Sequence, residues 1–373
     1  MQYDRPQFQH VLSYAADADH DVVDTVSGNP DWDPPESLRT GLAEYAEEPT
    51  EQFQYPPSEG LDELRTEIAT RRGVDRERVV VTNGAGEANY LALAAALDAA
   101  DGDEVVLTDP VYPYYPAKAK LLDATPRSVP TAPDGSLVVE RFAEVIGPET
   151  AVVVLNTPNN PTGAVYDPDT VAAVAELAAD ADATLVVDEV YHHFDYSGRF
   201  ESALTMAEVR ETVAVTCSFS KSLAITGFRV GYTVLPERLV DHATTRHMLV
   251  NVTASRPAQA AVLRALRETG PAYYEQTRAT LRERVATFCD ALDAAGFAYT
   301  DPDGAFYVLA KVDGLPGTMA NTERLIDEAG VAPMPGATFG EAYADWFRFA
   351  LVTPRVETAA ERLREWADAR DAV

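Results

Sequence analysis

Lysine is scarce in this chain: Lys118, Lys120, Lys221 and Lys311 are the only four, and the other basic residues are arginines. Positive charge is short altogether, with 30 Lys and Arg against 60 Asp and Glu, a formal net charge of −30. Such a surface repels a phosphate backbone and shows no basic patch, which excludes a nucleic-acid-binding protein. Cysteine is nearly absent, and Cys217 and Cys289 stand apart with no CxxC or Cys/His cluster. A disulfide framework and a structural zinc site are thereby excluded, and no metal is expected. No apolar run is long enough to span a bilayer, and Met1 to Tyr14 lacks the apolar core of a signal peptide. A cytoplasmic protein is expected. A lysine-poor acidic surface also suits a salt-rich cytoplasm, because at about 1 M ionic strength the screening length shrinks to roughly 3 Å. Adaptation to salt is therefore a second expectation.

What the chain does have is 373 residues, 46% of them hydrophobic, enough for a large core and more than one domain usually holds. Short aliphatic runs alternate with helical stretches through the middle. Strands are predicted at Val79–Thr82, Glu104–Thr108, Ala151–Leu155, Thr184–Asp188 and Val213–Cys217. Helices are predicted at Glu87–Ala99, Pro113–Leu122 and Pro168–Ala181. Strands apolar on both faces, each followed by a helix, predict an α/β fold with a mostly parallel, doubly wound sheet. Ligands bind such sheets at the carboxyl ends of strands. After about Pro257 the rhythm changes. Helices at Ala258–Glu268 and Pro271–Ala295, strands at Ala305–Lys311 and Phe347–Val352, and a helix at Val356–Ala369 read as a smaller α+β unit. The segment through about Pro35 has little periodicity and is expected to lie against another unit. The predicted division is a large domain over 36–256 and a small one made of 1–35 plus 257–373.

Four loops follow predicted strands and carry chemistry. VVVTNGAGE, Val79 to Glu87, is a strand, a glycine-rich turn and a helix start, where free N–H groups and the helix dipole attract phosphate. Three readings are open at this junction: a dinucleotide, another phosphate ligand, or a structural turn. Asn89 stands where a dinucleotide fingerprint needs its third glycine, although Asp109 sits near the place of a ribose-binding acid. NTPNNPTG, Asn156 to Gly163, cannot hold regular structure, and its asparagines either bind a ligand or cap the turn. Asp188-Glu189-Val190-Tyr191 puts an acid at the inner end of the sheet, which is costly unless a cation pairs with it. Ser218-Phe219-Ser220-Lys221 follows the last of these strands, and Arg229 lies eight residues further on in GFRVG. Each loop alone has a bland reading, and a lone lysine is usually a surface residue. Together they bring an amine, an acid, a phenol, an amide, an arginine and a phosphate-binding helix start to one sheet edge. Pyridoxal phosphate needs that set: a Schiff-base lysine, an anion for its ring nitrogen and an anion hole. A nicotinamide cofactor has no use for the lysine.

These residues resemble the class I/II aminotransferases, the fold-type I pyridoxal-phosphate enzymes. SFSKSLAITGFRVG, Ser218 to Gly231, is similar to the family's lysine-attachment signature, and NNPTG, DEVY and the turn Pro110-Val111-Tyr112-Pro113 follow in the family's order. The resemblance runs from Ser27-Gly28-Asn29-Pro30-Asp31 to Phe347-Arg348-Phe349, nearly the whole chain. It implies that Lys221 carries the cofactor and shuttles the proton, that Asp188 pairs with the ring nitrogen, and that Tyr191 and Asn160 donate to the ring hydroxyl. Tyr112 resembles the aromatic stacked on the ring. The amides of Ala85 and Gly86, with Ser218 and Arg229, resemble the phosphate cup. Tyr55 resembles a tyrosine that reaches the neighbouring subunit's phosphate, which implies a homodimer with shared sites. Arg348 resembles the arginine that grips the substrate α-carboxylate, in a bidentate geometry lysine cannot supply. Gly28 and Asn160 line the same pocket.

The implied activity is transfer of an amino group from an L-amino acid to a 2-oxo acid, often 2-oxoglutarate. The alternative is other chemistry on the same scaffold, such as C–S β-elimination or decarboxylation, since fold does not fix which bond breaks. A regulator of this fold is not expected, because the resemblance already begins near Gly28. Two positions depart from named relatives. Glu87 stands where one aspartate-using subgroup places a lysine, and the segment SGNPDWDPP lacks the pattern of histidinol-phosphate aminotransferases. Arg256 is a candidate for a distal carboxylate, with a salt bridge or surface position as the plainer role. His192 and His193 are expected to be structural.

Overall fold

A computed structural model describes residues 7–206, 211–312 and 314–371. Residues 1–6 and 372–373, at the ends of the predicted small unit, lie outside the described residues. Seven strands form the large sheet: β1 Val79–Thr82, β2 Glu104–Asp109, β3 Thr125–Pro130, β4 Thr150–Asn156, β5 Thr184–Asp188, β6 Val213–Ser218 and β7 Gly231–Val234. Their spatial order is β1-β7-β6-β5-β4-β2-β3. The pairs β7–β6 and β1–β7 are antiparallel and the rest are parallel, so β7 alone runs against the others. The fold is thus α/β with a mostly parallel sheet, as expected.

The reason the strands read as unbroken apolar runs is visible in their alternation. Val153, Leu155, Leu185, Val187, Val213 and Val215 face one core, while Val152, Val154, Val186 and Ala214 face another. Helices cover both faces, so neither side of a strand meets water. Ala85–Asp98 and Glu237–Asn251 pack on one side; Asp62–Arg72, Pro168–Asp180 and Arg256–Glu268 pack on the other. Ala258, Ala261, Val262 and Leu266 belong to the large sheet's core, which therefore continues past residue 256.

A second sheet is antiparallel, with spatial order β10-β11-β9-β8: β8 Ala298–Tyr299, β9 Tyr307–Lys311, β10 Met334–Pro335 and β11 Trp346–Ala350. The helices Pro271–Ala294 and Val356–Asp371 cover it through Phe288, Leu292, Ala359 and Leu363. The predicted strand at Ala305–Lys311 starts two residues later, because Ala305 holds a left-handed φ of 58°. The N-terminal segment does lie against this unit, but it is not irregular. Gln7–Asp17 is a helix whose Val11 packs with Ile326, Met334 and Phe339, and Val23–Asp24 pairs in parallel with Val331–Ala332.

Candidate active site

The parallel strands deliver their carboxyl ends to one edge, and the second unit closes over it. The resulting cavity of about 420 Å³ is lined from the large sheet by Ala85, Gly86, Tyr112, Asn160, Asp188, Tyr191, Ser218, Lys221 and Arg229, and from the other side by Phe8, Gly28, Tyr307 and Arg348. Every sequence-predicted site residue except Tyr55 and Arg256 is among them.

Asp188 ends β5 and is buried. One carboxylate oxygen accepts Asn89 Nδ2 and Tyr115 OH, each at 2.7 Å, and the other accepts the Val190 N–H at 3.0 Å. Asn89 is in turn fixed by Thr216, whose hydroxyl donates to its Oδ1 at 2.8 Å. Burial pushes the Asp188 carboxyl up, and these hydrogen bonds, with the charge of Lys118, oppose the rise. The result is an oriented buried carboxyl group with no ion-pair partner among the described residues, a site suited to a cationic ring.

Lys221 lies in a four-residue helix directly after β6, and its Nζ donates to the Gly28 carbonyl at 2.5 Å. Burial first, and then the charges of Arg348 and Arg229, together lower its amine to about 8. Gly28 has no room for a side chain: a Cβ there would stand 2.6 Å from Tyr307 Oη and 3.4 Å from Lys221 Nζ. Tyr191 and Tyr307 share a hydrogen bond at 2.9 Å, with their rings edge to face.

Arg348, on β11, is 1% exposed. Its Nη2 donates to the Val26 carbonyl, its Nη1 reaches Asn160 Oδ1 at 3.5 Å, and its buried Nε has no partner. Aromatic rings surround it: Tyr307, Phe339 and Phe8 have centroids 4.6, 5.2 and 5.3 Å from the guanidinium carbon. Among the described residues no carboxylate forms an ion pair with it. A buried guanidinium with an unused N–H and no counter-ion is poised for an anion.

The turn after β1 leads into the helix Ala85–Asp98, whose first N–H groups have no acceptor within the helix. Gly84 holds φ 81°, and a Cβ there would stand 2.5 Å from Arg229 Nη2. Arg229 itself has a left-handed φ of 55° and donates to the carbonyls of Thr226, at 2.9 Å, and Asn83, at 3.1 Å. These groups build an anion-binding corner.

Several contributors escaped the sequence reading. Tyr115, Asn89 and Thr216 fix Asp188, Tyr307 holds Tyr191, and Lys118 lines the cavity beside the rings of Tyr114 and Tyr115, its amine lowered by burial to about 8. Asn89 had a signal, a lone amide in the apolar run ANYLALAAAL, and Lys118 had its rarity. Tyr55 is apart from the cavity and 80% exposed. Arg256 is apart from it too, held by the carbonyl of Gln54 at 3.1 Å and by the Gln52 side chain. Among the described residues no group of three or more His, Cys, Asp or Glu side chains is placed to hold a metal ion. His192 bonds the Glu189 carbonyl at 2.8 Å, and His193 stacks on Tyr274 at 4.3 Å.

The model of the family "Aminotransferase class I and II" matches residues 20–363. A probable aspartate/prephenate aminotransferase of Thermus aquaticus is 33% identical over 357 residues, covering 92% of this chain and 91% of that protein. An aromatic-amino-acid aminotransferase of Thermococcus litoralis is 30% identical over 361 residues, covering 92% and 91%. The solved structure of Thermus thermophilus aspartate aminotransferase with maleate superposes with a TM-score of 0.91 at 31% identity, covering 97% of each chain.

Proposed function

We propose, for a chain that belongs to the class I and II aminotransferase family, that the cavity holds pyridoxal phosphate between Lys221, Asp188 and the Gly84–Gly86 turn. The chain is an aminotransferase, which moves an amino group from an amino acid to a 2-oxo acid. The observation that carries the site assignment is the convergence of a partly buried amine of lowered basicity, an oriented carboxylate and an uncompensated guanidinium in one cavity.

The residues fit the cofactor on their own chemistry. Asp188 would hold the ring nitrogen, Tyr191 and Asn160 the ring hydroxyl, and Tyr112 one face of the ring. The amides of Ala85 and Gly86, with Ser218 and Arg229, would hold the phosphate. When bound, pyridoxal phosphate supplies the electron sink for a bond broken at the substrate's α-carbon. Arg348 binds the substrate carboxylate, and its unused Nε–H and aromatic surround fix the direction of approach. That grip keeps the carboxylate on the substrate and leaves the α-hydrogen as the group to be moved. Lys221 Nζ takes that proton and returns it, and its lowered basicity frees the lone pair from about pH 8 upward rather than near the ordinary 10.5. Tyr307 and the Gly28 backbone restrict where Nζ can swing. Asn89, Tyr115 and the Val190 N–H aim Asp188 and oppose the rise that burial imposes on its carboxyl.

A second copy would complete the site. Tyr55 is exposed outside its own cavity, and Phe53, Leu249 and Val250 are exposed with it at 55, 80 and 61%. These side chains support a homodimer in which Tyr55 reaches the neighbour's phosphate corner. The acidic surface supports a cytoplasmic location.

The test is a spectral screen at high salt of the holoenzyme with aspartate, glutamate, alanine and aromatic amino acids, followed by 2-oxoglutarate. Donors should bleach the visible absorption band and the oxo acid should restore it. Lys221→Ala should lose the band and at least about 10³-fold in turnover. A Lys221→Ala protein that kept the wild-type band would overturn the assignment.

A further inference from the structure

Glu87 is one residue beyond the phosphate turn, where a carboxylate should repel a dianion. Its surroundings give it a different use. One oxygen accepts two donors from Asn83, the backbone N–H at 2.6 Å and Nδ2 at 2.9 Å. The other accepts His247 Nδ1 at 2.9 Å and the side-chain amide of Asn251. Burial alone would raise this carboxyl, but the hydrogen bonds from His247 and Asn83 outweigh it and hold it below its ordinary range.

His247 belongs to the helix Glu237–Asn251, which packs along the helix that opens at the turn. It is fully buried, and its Nε2 has no partner. Its Nδ1 faces Glu87 Oε1 at 2.9 Å, the ring's one polar contact with the carboxylate. A buried imidazole with one idle nitrogen is a poor way to fill a core. What it gains is the fixed position of Glu87.

Asn83 is thereby held from both sides. Glu87 takes its N–H and its amide, and Arg229 Nη2 donates to its carbonyl at 3.1 Å. Gly84 follows in a backbone conformation that favours glycine, and Thr82 Oγ1 donates to the Gly84 carbonyl at 3.0 Å. The peptide groups on either side of the anion corner are locked before any ligand arrives.

We propose that Glu87, fixed by His247, is a positioning residue that preorganises the phosphate corner and the Arg229 side chain. The proposal rests on the cofactor reading above and adds a role for the acid one residue beyond the turn. Preorganisation favours binding because the ordering cost is met before the anion arrives.

The test compares pyridoxal phosphate with pyridoxal, which lacks the phosphate, on the full-length protein stripped of cofactor. The quantity read is the ratio of their dissociation constants, followed through the visible band. In wild type the phosphate form should bind far more tightly. In Glu87→Ala that preference should shrink about tenfold, with pyridoxal binding within about twofold of wild type. The near-isosteric Glu87→Gln, which keeps one acceptor for Asn83, should lose less. His247→Leu should fall between wild type and Glu87→Ala. A merely structural role would weaken both ligands together and leave the ratio unchanged, which overturns the clamp. A preference that grows in both Glu87 variants would mean that charge repulsion outweighs positioning, and overturns it too. No visible band with either aldehyde in wild type would overturn the cofactor reading and the clamp with it.

Discussion

Lys221 is held by a carbonyl rather than a carboxylate, and this sets its chemistry. Burial disfavours the ammonium, and Arg348 and Arg229 repel it, so the amine is lowered to about 8 from the ordinary 10.5. Below pH 8 the ammonium dominates and cannot attack an aldehyde; above it the lone pair is free. Stripped of cofactor, the protein should capture pyridoxal phosphate at a rate that climbs about tenfold per pH unit up to roughly pH 8 and then levels off. An unshifted lysine would keep climbing for two further units. Arg348→Met removes one repelling charge, so the levelling point should move upward. Stopped-flow mixing between pH 6 and 10 reads both, and a wild-type profile still rising at pH 10 would contradict the account. Asp188 shows the same dependence on surroundings. Burial raises its carboxyl, and the opposing hydrogen bonds come from Asn89 and Tyr115, two side chains that no loop motif announced.

The elements around the site are tied by one buried ion pair. Arg72 ends the helix Asp62–Arg72, and Gly73 closes that helix with φ 65°. Arg72 Nη1 donates to Glu189 at 2.8 Å and Nε to Tyr232 Oη at 2.7 Å, while Glu189 also accepts Ser202 Oγ and the Ala203 N–H. Through these contacts Arg72 and Glu189 join a covering helix, β7 and the loop that follows Asp188 and carries Tyr191. Arg72→Met strands a fully buried carboxylate, which should cost about 3–5 kcal/mol in a urea titration. Arg72→Met/Glu189→Leu, which leaves no uncompensated charge, should recover much of that loss. The elements that meet here were not equally legible. β4, β5 and β6 stand out because two helical layers demand apolar residues on both faces. β3, with the sequence TPRSVP, is an edge strand exposed at most positions, so no apolar pattern marks it. β7 is the strand that runs against the rest and follows the signature loop directly, so no helix announces it. Gln7–Asp17 escaped because its apolar stripe is short, though Phe8 from it reaches the aromatic cage beside Arg348. The strand-end loops named Lys221, Asp188, Asn160 and Arg229 because chain position alone puts them at one edge. Tyr307, Tyr115 and Lys118 arrive through packing between elements, which no local pattern encodes.

At the scale of the molecule, the proposed homodimer sets charge against assembly. Each chain carries −30, so a pair carries 2 × −30 = −60. Against this stands the apolar area of Leu42, Phe53, Tyr55, Met248, Leu249, Val250 and Val252, each exposed in the single chain. Its burial is favourable at roughly 25 cal/mol per Å² and does not depend on charge. The repulsion does depend on salt: the screening length is about 30 Å at 0.01 M and about 3 Å at 1 M. The two effects therefore cross as salt is removed. Sedimentation should show a dimer at about 2 M KCl and a growing monomer fraction below about 0.1 M, with the melting temperature falling in parallel. Because Tyr55 would serve the neighbour's phosphate corner, cofactor should be lost over the same salt range as the dimer. Leu249→Asp should move that range to higher salt by placing a charge inside the contact, while leaving the monomer's far-ultraviolet spectrum unchanged. A monomer at every salt concentration would sink the shared-site reading. A dimer that persisted at 0.01 M with undiminished melting temperature would sink the salt dependence and keep the dimer.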